Sequence, residues 1–443
     1  MDRIWALSAV RGKPGLERMR RLLEWMNHPE EELKVIHIAG TNGKGSIAQM
    51  LASVLRAGGY HVGVYTSPHV MTHHERFQLD GDLISDEDFC KYAEMAFTCE
   101  DRLVAEGLGH PAEFEILTAM AFLYFRDKMP DFVILETGIG GRIDITNTVR
   151  RPLIGIIAQI GFDHRGTLGD TLPEIAGEKA GIIKHGVPVV SESPEEEVKA
   201  VLRKRADEED ALFLDASLVP YEILSCKGRM RFRILPGEGA EQLGLRPNEY
   251  ELGLLGEHQV RNAVTVLTAL RNLEDRGCLK LSEETVKNGL REARNMGRFE
   301  VMRENPDVIL DAGHNPQGIA AAMKTLHGMY GASLSEKRVL IVFGCFKDKD
   351  YSLMLDELAR GLRDVGCDRV IATEPPSPRA LEAATLAALL CEEGIHAEAC
   401  PDLQLAYRRA MEAEADIKLF LGSIYLIGDI RTLLSKERMQ DHV

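Results

Sequence analysis

One short stretch constrains this chain more than any other: Ile38-Ala39-Gly40-Thr41-Asn42-Gly43-Lys44-Gly45-Ser46. The apolar run 35–39 reads as a buried strand. A glycine-rich turn follows, and residues 47–57 read as a helix closed by Gly58 and Gly59. Strand, glycine turn and helix in that order build a phosphate cradle. Backbone N–H groups converge on the anion, the helix N-terminus adds positive potential, and Lys44 supplies a full charge. The pattern is a shortened relative of the common phosphate-binding loop, with an extra glycine between Lys44 and Ser46. Glycines also punctuate ordinary strand-to-helix turns. A lysine and a serine at the turn, after a clean strand, favour the phosphate reading, and ATP binding is the expectation.

The rest of the composition limits what that ATP serves. A chain of 443 residues has room for two or three domains. Its net charge of −16 argues against an extended nucleic-acid or anionic-membrane surface. Apolar residues make up 45% and aromatics only 6%, so the cores should be aliphatic. The eight cysteines are scattered without a C-x-x-C pair and read as reduced thiols of a cytoplasmic protein. No signal peptide is read at the N-terminus. The longest apolar run, 153–160, is too short to span a bilayer as a helix.

Taken in order, residues 1–33 read as a helix or two, with Leu16, Met19, Leu22, Leu23 and Met26 as the apolar stripe. A second strand over 61–66 ends at Ser67-Pro68-His69. The adjacent pair His73-His74 makes a poor metal site, because neighbours in a strand point apart. Helices follow at about 85–106 and 112–128. A strand at 132–135 ends on Glu136, the position where phosphate-loop enzymes place a Mg²⁺ carboxylate. The glycines at 138, 140 and 141 imitate a dinucleotide fingerprint. That motif needs a helix directly after its glycines, and the β-branched, turn-like segment 144–148 follows instead. A strand over 153–160 runs into Asp163-His164. A helix capped at Thr171 carries Glu178-Lys179, and residues 193–208 read as a charged helix that presents a solvated face. Residues 221–254 read as a small sheet hung on the first domain. The glycine-bearing segment 295–298 marks a domain boundary, giving 1–297 and 298–443. Beyond it, strands at 308–310, 339–343, 369–373 and 417–421 alternate with helices in a doubly wound, mostly parallel pattern. Polar clusters 311–316, 344–350 and 422–425 fall at strand carboxyl ends, where such sheets bind ligands. By residue type alone, His164 reads as a structural histidine, since hard cations prefer oxygen.

These motifs together resemble the Mur ligase superfamily. The loop with glycine before Ser46 is similar to its folate branch, the folylpolyglutamate and dihydrofolate synthases. Residues 65–69 with Glu75-Arg76, 136–147, Asp163-His164 with Leu168-Gly169, 178–184, His258 with Asn262, Gly297-Arg298 with Glu300, 311–316 and 422–431 carry the same resemblance over about 35–431. It implies an α/β fold: a phosphate-loop ATPase domain, then a smaller Rossmann-like glutamate ligase domain. It implies that Thr41, Asn42, Gly43, Lys44, Gly45 and Ser46 form the nucleotide loop, and that Asn262, Arg298 and Asp311 contact ATP. Ser67 and Glu136 are to bind one Mg²⁺, and Glu136 with His164 a second. Lys179 matches a lysine that becomes carbamylated, although a salt bridge to Glu178 or Glu174 is an equally simple reading of the residue. His314 is to approach the γ-phosphate, and Arg379, Ser423 and Tyr425 are to face the cleft. Gln159 and Gly161-Phe162 depart from the usual pattern, which implies a local change in packing.

The implied reaction joins L-glutamate to a folate or pteroate carboxylate through an acyl phosphate. It requires a closing cleft with a hinge near Gly297. The partners are small molecules, with no nucleic acid and no membrane, and a monomer is expected. A peptidoglycan-precursor ligase usually carries a whole domain before the loop, which the short segment here does not match. A homologue without turnover would have no need of Lys44, Glu136, His164, Lys179 and His314 together.

Overall fold

The computed structural model describes residues 15–365 and 369–440. The described chain forms two compact units. The first takes in the chain up to Tyr221, Ile234–Asn248 and Arg261–Ala293. The second takes in Glu222–Arg233, Glu249–Val260 and the chain from Arg294 on.

The first unit is built on strands β1 (Val35–Ala39), β2 (Val62–Tyr65), β3 (Phe77–Leu79), β4 (Asp82–Leu83), β5 (Phe132–Glu136), β6 (Ile154–Ile157), β7 (Val189–Ser191) and β8 (Phe213–Asp215). They lie in the order β4-β3-β2-β5-β1-β6-β7-β8. From β2 across to β8 the strands are parallel, and β3 and β4 add an antiparallel edge. Every residue of β1, β2, β5 and β6 is buried. Burial on both faces explains why these strands read as continuous apolar runs rather than alternating ones.

Helices cover both faces. Leu16–Trp25, Asp86–Phe97 and Glu113–Lys128 bring Met19, Leu22, Leu23, Phe89, Phe122 and Phe125 into one core. A second core forms at β6 and β7, where Ile175 of Leu172–Lys179 meets Val198 and Leu202 of Glu196–Glu208. Each such side chain contributes about 1.5–3 kcal/mol when fully buried. The charged helix read as a solvated face also has an apolar side, which buries Val198, Leu202 and Ala206. The single helix expected over 85–106 is two, Asp86–Phe97 and Glu100–Ala105.

The second unit carries β12 (Glu300–Arg303), β13 (Asp307–Asp311), β14 (Val339–Phe343), β15 (Arg369–Ala372), β16 (His396–Ala399) and β17 (Ile417–Leu421), in the order β12-β13-β17-β14-β15-β16. All pair in parallel except β12 with β13. The doubly wound pattern is as expected. The two edge strands β12 and β16 escaped the sequence reading, because short polar edges carry no apolar run.

The small sheet β9 (Tyr221–Ser225), β10 (Met230–Ile234) and β11 (Asn248–Leu252) groups mostly with the second unit rather than the first. Its Cys226 lies against Gly328 of the helix Pro316–Tyr330. The last stretch of the second unit runs from Arg294, slightly before the expected 298. Gly297 is tied into it by Ala312 N donating to Gly297 O (2.8 Å) and Gly297 N donating to Glu300 Oε2 (2.9 Å). Among the described residues, no helix is long and apolar enough to cross a membrane.

Candidate active site

Four neighbouring parallel strands of the first unit, β2-β5-β1-β6, each end in a group singled out from the sequence. Ser67 follows β2, Glu136 ends β5, the glycine loop follows β1, and Asp163-His164 follow β6. In the pairing register Ile38 lies beside Glu136 and Ala39 beside Ile157. The sheet thus sets an acid and a phosphate loop side by side at one edge.

The loop is latched before the helix begins. Thr41 N donates to Gln159 O (2.8 Å), and Gly161 N donates to Thr41 Oγ1 (3.0 Å). The unusual residues Gln159 and Gly161 therefore serve through their backbones. Gly43 sits at φ 89°, and a Cβ there would stand 2.5 Å from Asn262 Oδ1. Only glycine admits both the conformation and the contact. The helix starts at Lys44, three residues earlier than expected, so Lys44 is in its first turn and Ser46 is buried there. Lys44 Nζ donates to Gly40 O (3.1 Å) and Thr41 O (3.3 Å), with Glu136 Oε1 at 3.9 Å.

Lys179 approaches the same loop from below. It is 3% exposed, and its Nζ donates to Gly40 O at 2.8 Å. Burial and the nearby charge of Lys44 hold this amine down to about 7. The simple alternative, a salt bridge to Glu178, does not describe it: Glu178 pairs with Arg142. The glycine segment that resembled a dinucleotide fingerprint packs onto this lysine. A Cβ at Gly141 would lie 2.7 Å from Lys179 O, and Arg142 N donates to Glu178 O. A short 3₁₀ turn, Ile145–Thr148, follows those glycines, as expected against a dinucleotide site.

One network escaped the sequence reading. The buried Asp144 accepts from Ile139 N (2.8 Å), Thr146 N (2.9 Å) and Thr146 Oγ1 (2.6 Å). Thr146 has one hydroxyl proton and gives it to Asp144, so its oxygen accepts from His37 Nε2 at 2.9 Å. Burial pulls His37 down to about 3, a neutral ring carrying its proton on Nε2. This chain fixes the glycine segment between Glu136 and Lys179. An Asx cap at Asp144 was the only local signal available.

The metal candidates differ from one another. Ser67 N donates to Glu136 Oε2 (3.3 Å), and the buried Ser67 Oγ has no hydrogen-bond partner. A hydroxyl beside a buried carboxylate is the oxygen donor set a hard cation takes. His164 has φ 52°, a ring 41% exposed, and its Nε2 3.7 Å from Asp163 Oδ2.

In the second unit, the three polar clusters end adjacent strands β13, β17 and β14. Asp311 accepts from Phe299 N (2.8 Å) and Gly313 N (2.7 Å), and burial raises its carboxyl. His314 Nδ1 donates to Ala312 O (2.9 Å), which leaves the acceptor lone pair of the neutral ring on Nε2. Asn315 caps the helix Pro316–Tyr330. Arg298 lines a cavity of about 800 Å³ with Arg294 and Arg431. Ser423 is buried, and the exposed Tyr425 meets the Phe346 ring edge-on at 5.6 Å. Arg379 covers the same ring and pairs with Asp348 at 2.9 Å.

Residues 297–424 match the family of the Mur ligase, glutamate ligase domain. The whole chain superposes on the folylpolyglutamate synthase of Thermotoga maritima with a TM-score of 0.81 at 34% identity, covering 98% of this chain and 95% of that one. On Mycobacterium tuberculosis folylpolyglutamate synthase complexed with ADP, the TM-score is 0.83 at 28% identity, covering 98% and 97%. Fold and strand-end groups together define a two-domain α/β ligase of the Mur type. The chain is 36% identical over 436 residues to the dihydrofolate synthase/folylpolyglutamate synthase of Bacillus subtilis (strain 168), covering 95% of each, and it belongs to that family.

Proposed function

We propose that this chain joins L-glutamate to the carboxylate of a folate or pteroate, with ATP cleaved to ADP and phosphate. The observation that carries this reading is the phosphate loop flanked by Glu136, at the end of the neighbouring strand, and by Lys179, at the end of the helix Leu172–Lys179, in a family member. An acceptor carboxylate oxygen attacks the γ-phosphorus, ADP leaves, and an acyl phosphate forms. The glutamate amine then attacks the carbonyl carbon, loses a proton, and the tetrahedral adduct expels phosphate. Tetrahydrofolate and dihydropteroate are the two acceptors the reading includes.

Loop N–H groups and Lys44 neutralise charge on the phosphoryl oxygens as it moves. Thr41, Asn42, Gly45 and Ser46 complete the loop, and Asn262 buttresses Gly43. Ser67 and Glu136 are assigned one Mg²⁺, and Glu136 with His164 a second, the unpartnered Ser67 hydroxyl supporting the first. Bound Mg²⁺ supplies charge neutralisation between phosphate oxygens. Arg298, Asp311 and His314 are assigned to ATP.

Lys179 is assigned a carbamate. An amine attacks CO₂ only when unprotonated, and a lysine held to about 7 meets that condition. A C–N bond forms from Nζ to the CO₂ carbon and one proton leaves. The product sets a carboxylate opposite Lys44 in place of a second amine. The proposal carries a cytoplasmic monomer with it, and every cysteine among the described residues is a free thiol.

The test is ADP release by the purified protein with ATP and Mg²⁺. Release that requires both glutamate and one of the two acceptors supports the reading. Release indifferent to either overturns it.

A further inference from the structure

A second cluster lies where the chain enters β1, at the end of that strand opposite the phosphate loop. His28, Glu30 and Glu31 each offer a ligand atom, and the three atoms lie within 4.8 Å of one another. They come from four consecutive residues because the chain turns sharply here. Pro29 opens the 3₁₀ turn Pro29–Glu32, and Glu31 N donates to His28 O (3.1 Å).

The second observation concerns Glu30 alone. Its side chain is 5% exposed, and its Oε1 lies 3.2 Å from His28 Nδ1. Its Oε2 is buried without any hydrogen-bond partner. A buried carboxylate oxygen with no donor is costly unless a cation compensates it. Glu31 has a cation nearby, Arg150 at 3.4 Å, but the two side chains are 46% and 75% exposed. Such a pair contributes little and yields easily.

We propose that His28, Glu30 and Glu31 form a binding site for one divalent transition cation, with Zn²⁺ the ion that fits best. One imidazole nitrogen and two carboxylates suit a borderline ion better than Mg²⁺, which prefers an all-oxygen shell. Three protein ligands leave room for water on the open side. The bound ion joins the segment before β1 into one rigid turn and stabilises the fold by linkage, without touching the phosphate loop.

The experiment uses the full chain, stripped of metal by chelation, and titrates it with Zn²⁺ by calorimetry at pH 7.5. The proposal expects one equivalent to bind at this cluster and to raise the melting temperature. His28→Ala and Glu30→Gln each weaken it by about tenfold or more, and Glu136→Gln leaves it unchanged. Co²⁺ added to the unsubstituted protein gives visible absorption bands that Zn²⁺ abolishes, a readout independent of how the variants fold. Affinity unchanged in a folded His28→Ala, binding lost only in Glu136→Gln, or no Co²⁺ bands would each overturn the site.

Discussion

Gly40 O receives two lysines, Lys44 at 3.1 Å and Lys179 at 2.8 Å. Only Lys44 sits in the first turn of the helix, where it can follow a phosphate. Lys44→Ala should lower the rate of ADP formation about 10²–10³-fold with the melting temperature little changed. Loss of fold without an effect on turnover per folded molecule contradicts its role. Lys179 should take up labelled CO₂ as a carbamate visible by carbon NMR, a signal absent from Lys179→Arg.

Glu192 offers a separate test of burial. Burial pushes its carboxyl up to about 7, above the ordinary range near 4.5. Between those values the folded state holds a proton that the unfolded state lacks, so stability falls as pH rises. The slope is up to about 1.4 kcal/mol per pH unit. Denaturant titrations at pH 5, 6 and 7 should therefore show Glu192→Gln gaining on the parent as pH rises. A constant gap contradicts the assignment.

At the scale of elements, helix joins loop through groups with little freedom. Gly43→Ala puts a Cβ into a left-handed conformation and against Asn262, which should cost about 1–3 kcal/mol and weaken ATP binding. Equal stability and affinity would show that the loop relaxes. Elsewhere in the first unit, the fully buried Glu115 ties the helix Glu113–Lys128 to Leu16–Trp25. It accepts from Arg18 Nε (2.9 Å) and Nη2 (2.7 Å), and from Ala112 N (2.6 Å). Glu115→Ala strands the Arg18 charge and should cost about 3–5 kcal/mol by urea unfolding. A loss below about 1 kcal/mol would mean water replaces the carboxylate. The phosphate loop, Glu136 and the buried parallel strands were legible because their chemistry lies in consecutive residues. The His37–Thr146–Asp144 chain was not, since it joins residues 109 apart in sequence. Edge strands β12 and β16 were not legible for a different reason, the lack of any buried face pattern.

For the whole molecule, the alternation of strands and helices defined both α/β units, while the small sheet, read with the first, groups mostly with the second. The strands at 221–252 are short, and which unit they join depends on packing between residues far apart in sequence, which no local pattern shows. The central claim is that the assembled groups form an amide bond to glutamate. The measurement that tests it most directly is mass analysis of products from pure protein, ATP, Mg²⁺, glutamate and either dihydropteroate or tetrahydrofolate. Added glutamate on one or both acceptors, matched by ADP, is the expected result. Folded protein that binds ATP and adds glutamate to neither would contradict the account.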